Sequence, residues 1–146
     1  MEPVTFAIIG LGSRGKNCYG REILRIPERA RVTAIADTDP ERLSLMGDEH
    51  QVPQAMRFHS AEELFSQEKL ADAAIICTQD RQHVPHAILA LEKCYDVLLE
   101  KPISPDLDQL RELLHVAERT GRKVVVCHVL RYTPFFRLFK DTIDSG

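Results

Sequence analysis

The chain has 146 residues, 44% of them hydrophobic and 28% charged, with a formal net charge of −3. This is the profile of one globular domain with a core of its own. It carries no Lys/Arg-rich block that would point to nucleic acid, and no apolar run near the roughly 18–20 residues of a membrane span.

The first residues include an acid and lack the basic start and apolar run of a secretory signal. Cys18, Cys77, Cys94 and Cys127 show no CxxC or metal-type spacing. A reducing, cytoplasmic setting without a metal centre is therefore expected.

In chain order, residues 5–10 (TFAIIG) read as a strand. A glycine-rich loop and a helix to about Arg25 follow. Residues 31–37 (RVTAIAD) form a second strand. Asp39 is placed to cap the next helix, with Pro40 at its first position, where a missing N–H costs nothing; that helix runs to about Glu49. Residues 56–58 are a short third strand. Ser60 and Glu63 have capping-box spacing for a helix through Phe65.

The continuous apolar run 73–77 (AAIIC) fits a strand covered on both faces. In the helix after it, Val84, Ala87, Ile88 and Leu91 share a face. Residues 96–99 (DVLL) are a fifth strand. Ser104 and Pro105 are expected to start a helix that Gly121 stops. Residues 123–127 (KVVVC) form a sixth strand, and a helix from about Pro134 closes the chain.

Strands alternating with helices predict an α/β, doubly wound, mostly parallel six-stranded sheet of the Rossmann type, with helices on both faces. No repeat or linker interrupts it, so residues 1–146 read as one domain. In such sheets ligands bind at the carboxyl ends of the strands.

The loop after the first strand is Gly10-Leu11-Gly12-Ser13-Arg14-Gly15, a GxGxxG. The first glycine allows the tight turn, the second lets a pyrophosphate approach the backbone, and the third lets the helix lie close to the strand. The helix start offers N–H groups and partial positive charge to phosphates. Asp37, 22 positions after Gly15, stands where an acid holds the ribose diol of a dinucleotide. It favours NAD over NADP, because a carboxylate repels a 2′-phosphate. Arg14 and Arg42 are cations that could serve NADP, and Asp37 could instead be a turn acid capping the next helix, a task Asp39 could already perform. S-adenosylmethionine is the competing ligand for such a loop.

Three more strand ends carry polar groups. After the fourth strand, Thr78 can reach a cofactor. His83 is a ligand contact or a residue satisfying local backbone, and His86 reads as a surface helix residue. The fifth strand enters Glu100-Lys101-Pro102. A lysine there can hold a hydroxyl by charge and transfer a proton, or belong to a surface salt bridge closed by a proline turn. After the sixth strand, His128 faces the crevice or is buried and satisfied by backbone, while Arg131 contacts the cofactor or anchors the last helix.

Taken together, AIIGLGSRG at 7–15, AIAD at 34–37, IICTQDRQH at 75–83, VLLEKP at 97–102 and HVLRYTP at 128–134 resemble the Gfo/Idh/MocA family of NAD(P)-dependent oxidoreductases. The resemblance implies hydride transfer between a nicotinamide cofactor and a sugar, cyclitol or related hydroxy or oxo compound. It implies a catalytic Lys101 and a cofactor lined by Gly10, Gly12, Ser13, Arg14, Gly15, Asp37, Thr78, His83, Glu100 and Lys101. It also implies a second, C-terminal α/β domain, absent from these 146 residues, that supplies most of the substrate pocket and the usual oligomer interface. An apolar surface is expected where that domain would pack.

Cys94 departs from the family's glycine at the end of a helix. Its side chain is costly in a left-handed cap, so a different helix ending is expected. A regulatory or scaffold protein that binds the dinucleotide without chemistry is the alternative function, and Lys101 argues against it.

Overall fold

A computed structural model describes residues 2–146; Met1, the first residue of the segment examined for a signal, lies outside them. The strands are β1 (Val4–Ile9), β2 (Ala30–Ala36), β3 (Arg57–Phe58), β4 (Ala73–Ile76), β5 (Asp96–Leu99) and β6 (Val124–Val126). They form one sheet in the order β3-β2-β1-β4-β5-β6, with every pairing parallel. The chain works outward from β1 in one direction, then crosses to β4 and works outward in the other. The carboxyl ends of β1 and β4 are therefore adjacent, with a crevice between the loops that leave them.

The helices are α1 (Arg21–Leu24), α2 (Pro40–Glu49), α3 (Ala61–Ser66), α4 (His83–Glu92), α5 (Leu107–Thr120) and α6 (Pro134–Asp144). A π-helical segment, Ser13–Gly20, leads into α1. Period-two alternation along the strands divides the core. Ile8, Ile35 and Ile75 face α1 and α2 with Ile23, Leu43 and Met46. Ala7, Ile9, Ala36, Ile76 and Leu99 face the layer of α3, α4 and α5. Both faces of the central strands are covered, which is why they read as unbroken apolar runs.

Caps set the helix boundaries. Asp39 accepts the N–H groups of Glu41 and Arg42 at 2.9 and 3.3 Å. The Ser60 hydroxyl accepts Glu63 N–H at 3.1 Å, while the Glu63 carboxylate accepts the N–H of His59 at 2.7 Å. The expected start of α5 at Ser104 and Pro105 is corrected: Asp106 caps it through the N–H groups of Asp108 and Gln109, and Ser104 instead accepts Asp106 N–H. A carboxylate is the better acceptor for orphan helix donors.

The expectation for Cys94 is also corrected. It adopts φ 63°, the left-handed conformation. Tyr95 N–H reaches Ala90 O at 3.0 Å and Cys94 N–H reaches Leu91 O at 3.0 Å, a Schellman ending built without glycine. The buried Tyr95 side chain anchors it, stacked edge-on against Phe65.

Beyond β5 the covering thins. Val125 on β6 and Phe135, Leu138, Phe139 and Ile143 on α6 are exposed.

Candidate dinucleotide site at the sheet switch point

The glycine loop is shaped by steric necessity. Gly10 has φ +89°, and a Cβ on it would stand 2.6 Å from the Cys77 carbonyl oxygen. A Cβ on Gly15 would stand 2.0 Å from the Gly10 carbonyl oxygen, so the helix can pack on the loop only without a side chain there. Gly12 differs: its Cβ direction is open except for Arg42 at 4.0 Å. That open side faces the crevice. No side chain caps the helix start at Gly12, which leaves the first N–H groups, from Ser13 onward, to a ligand. These features fit a pyrophosphate.

Asp37 lies at the end of β2 with its side chain 7% exposed. Its Oδ2 accepts Leu11 N–H at 2.6 Å and its Oδ1 accepts Asp39 N–H at 2.9 Å. Asp39 alone caps α2, so the reading of Asp37 as a helix-capping turn acid is excluded. It braces the glycine loop, and its carboxylate lines the crevice with Gly10, Gly12 and Thr78. A carboxylate has about four acceptor positions, so two remain for a ribose diol. Arg42 is already drawn to this pair of acids, 3.9 Å from Asp37 and 3.3 Å from Asp39.

The two histidines at the start of α4 differ: His83 follows its backbone-satisfying reading, and His86 departs from its surface reading. His83 is 1% exposed, with Nδ1 2.6 Å from Pro102 O and Nε2 3.1 Å from Thr78 O. Both nitrogens are taken by backbone carbonyls, which corrects its reading as a direct ligand contact. It joins the ends of β4 and β5 instead. His86, expected on the surface, is 6% exposed and lines the crevice. Its Nδ1 meets the Thr78 hydroxyl at 3.0 Å and its Nε2 lies 3.6 Å from Glu62. Burial, outweighing the nearby Glu62 carboxylate, lowers the His86 pKa from its usual value. Glu62 is lowered first by a backbone hydrogen bond.

Glu100 and Lys101 turn away from each other. Glu100 is buried, and its Oε1 accepts the Tyr19 hydroxyl at 2.7 Å and lies 3.8 Å from Arg14 Nε. Its Oε2 accepts the Lys101 backbone N–H at 3.2 Å. The Lys101 side chain is exposed and makes no ion pair among the described residues. The two therefore do not form the surface salt bridge considered above. The Lys101–Pro102 peptide is cis. Lys101 shares a second hollow with His128 and Arg131. His128 is exposed, which excludes its buried, backbone-satisfied reading.

Tyr19 was missed by the sequence reading. Its hydroxyl lies between Glu100 and Cys127 Sγ, the latter at 2.6 Å. Burial first, then its bonds to Cys127 and Glu100, raise its pKa far above the usual phenol range, so it stays a proton donor. Its only signal was an aromatic in an otherwise polar helical stretch.

Comparison with known proteins identifies the family and the fold. Residues 4–128 match the family model described as "Oxidoreductase family, NAD-binding Rossmann fold". An inositol 2-dehydrogenase of Rubrobacter xylanophilus is 28% identical over 146 residues, spanning 99% of this chain and 41% of its own length. Among solved structures, the WlbA dehydrogenase from Bordetella pertussis in complex with NADH and UDP-GlcNAcA superposes with a TM-score of 0.88 at 24% identity, covering 99% of this chain and 43% of that one. The scyllo-inositol dehydrogenase from Lactobacillus casei with NAD(H) and scyllo-inositol gives 0.88 at 23%, covering 99% and 42%. The chain thus spans about two-fifths of the proteins it matches. On the family match, this chain belongs to the Gfo/Idh/MocA oxidoreductase family and carries its NAD-binding Rossmann fold.

Proposed function

We propose that this chain is the cofactor-binding part of an enzyme that transfers a hydride between NAD and a hydroxyl or oxo group of a sugar, cyclitol or related small molecule. One observation carries the reading. Lys101 stands exposed and without an ion pair among the described residues at the carboxyl end of β5, on the same sheet edge as the glycine loop. An unpaired ammonium there is free to meet a reacting oxygen.

In this reading the N–H groups after Gly12, with Ser13 and Arg14, hold the pyrophosphate, and Asp37 accepts the adenosine ribose hydroxyls. Thr78 borders the crevice, and Gly10, Gly15 and His83 shape it. Bound NAD would supply the hydride acceptor or donor. Lys101 would hold the reacting oxygen by charge and exchange its proton, and Glu100 would fix the turn beneath it. NAD is preferred because Asp37 is anionic and Arg42 is already committed to Asp37 and Asp39. The substrate pocket and any homo-oligomer contact would come from a second α/β domain, within the greater length of the relatives. The free cysteines suit a cytoplasmic enzyme. No helix among the described residues is long and apolar enough to cross a membrane.

Calorimetric titration with NADH, NADPH and S-adenosylmethionine tests the proposal. NADH should bind most tightly. Absence of NADH binding would overturn it, and preferential binding of S-adenosylmethionine would redirect it to methyl transfer.

A further inference from the structure

Residues 13–20 are wound as a π-helix, a form that occurs mostly as short bulges, often at functional sites. Its i→i+5 hydrogen bonding stacks residues five apart. In an α-helix, Arg14 and Tyr19 would point about 140° away from each other. Here both reach one acceptor, Glu100 Oε1, Tyr19 by its hydroxyl at 2.7 Å and Arg14 by its guanidinium at 3.8 Å. The phenol has one proton. Given to the Glu100 carboxylate, it leaves the phenol oxygen free to accept the thiol proton of Cys127. Glu100 in turn accepts the Lys101 backbone N–H through Oε2. A continuous path of hydrogen bonds runs from the glycine-loop helix, through a buried carboxylate, into the peptide that carries Lys101.

We propose that Tyr19 is a positioning residue: through Glu100 it holds the Lys101 turn in register with the glycine loop, so that a reacting group on Lys101 and a dinucleotide on the loop keep one geometry. The functional consequence rests on the cofactor reading above; the mechanical link does not. Arg14, 46% exposed, is an auxiliary contact, and the sheltered hydroxyl of Tyr19 is the principal one.

Amide hydrogen exchange by NMR on the full 146-residue chain tests the link. The Val97 amide, bonded to Lys123 O at 2.8 Å within the sheet, serves as the reference. Tyr19→Phe keeps the ring and removes the donor. The Lys101 amide should then exchange about tenfold faster, as expected for loss of a hydrogen bond to a charged group, and its proton resonance should move upfield. The Val97 amide should hold its rate. Glu100→Gln should reproduce the effect, and the double variant should add little to either. Cys127→Ala alters packing on the other side of the same phenol and should leave Lys101 exchange unchanged. Unchanged exchange in Tyr19→Phe would overturn the proposal. Equal acceleration in Cys127→Ala, or acceleration extending to Val97, would also overturn it, by showing packing alone. NADH affinity of the unaltered chain is measured alongside. If the unaltered chain fails to bind NADH, the cofactor reading falls while the exchange comparison still decides the role of Tyr19.

Discussion

The Asp37 carboxylate accepts the Leu11 backbone N–H at 2.6 Å across 26 positions of sequence. The acid proposed to choose the nucleotide thus also holds the loop proposed to bind its phosphates. Asp37→Ala removes the acceptor for two backbone donors. It should lower unfolding free energy by about 2 kcal/mol, the scale of hydrogen bonds to charged groups, and weaken NADH binding tenfold or more. Urea denaturation and calorimetry report the two effects separately. The preference for NADH over NADPH should shrink in the same variant, because the repelling charge is gone.

Lys101→Ala, made in the enzyme with its complete substrate pocket, should lower kcat by about 10²–10⁴, the range of a positioned acid–base group. The KM for NAD should change little, since the role proposed for the ammonium is at the reacting oxygen rather than at the cofactor. Lys101→Arg should not restore activity, because a guanidinium does not give up its proton. Steady-state kinetics with a sugar or cyclitol that the unaltered enzyme turns over would check this, and a full rate for Lys101→Ala would remove the residue from the mechanism.

The pH dependence of stability follows from His86. Its folded pKa lies below the ordinary value of 6.5, chiefly through burial. Between the two values the unfolded chain binds more protons, so stability rises with pH there. The contribution is complete above about pH 6.5 and is lost as pH falls through the lowered folded value. His50, lowered by the same cause, acts in the same direction. His86→Gln should flatten the loss between neutral and mildly acidic pH in thermal melts. The lowered carboxylates Glu62 and Asp72 should dominate only in stronger acid.

Cys94 holds a left-handed backbone that favours glycine. The residue is exposed, so its thiol adds little packing. Cys94→Gly should relieve strain of about 1–2 kcal/mol, partly offset by the greater freedom of glycine in the unfolded chain. A net gain of up to about 1 kcal/mol in chemical denaturation is expected. A loss of stability would show that the thiol contributes more than the strain costs.

The layout of the candidate site was largely legible in the residues. The glycine positions, the acid at the end of β2 and the Lys101 turn were all placed by local rules, namely a tight turn, a strand end and a break in an apolar run. What stayed open or went wrong falls where local rules are silent: the choice between two readings of His83, and the surface reading of His86. His83 and His86 look alike in sequence, three apart at the start of one helix. One proved to join two strand ends by backbone contacts. The other lies buried against Thr78 and Glu62 rather than on the surface. Helical periodicity ranks faces by their apolar neighbours, and a polar ring buried under a loop has the same signature as an exposed one.

The sequence by itself determined the alternation of strands and helices, the parallel sheet and the GxGxxG loop after β1. These depend on backbone sterics and on periods of 2 and 3.6 residues, which act between near neighbours. Only the tertiary structure decided what joins the loop to the rest of the sheet edge: Leu11 to Asp37 across 26 positions, and Tyr19 to Glu100 across 81. Those contacts depend on strand order and on one widened helical turn. Neither leaves a local pattern, because both arise from the packing of segments distant in the chain.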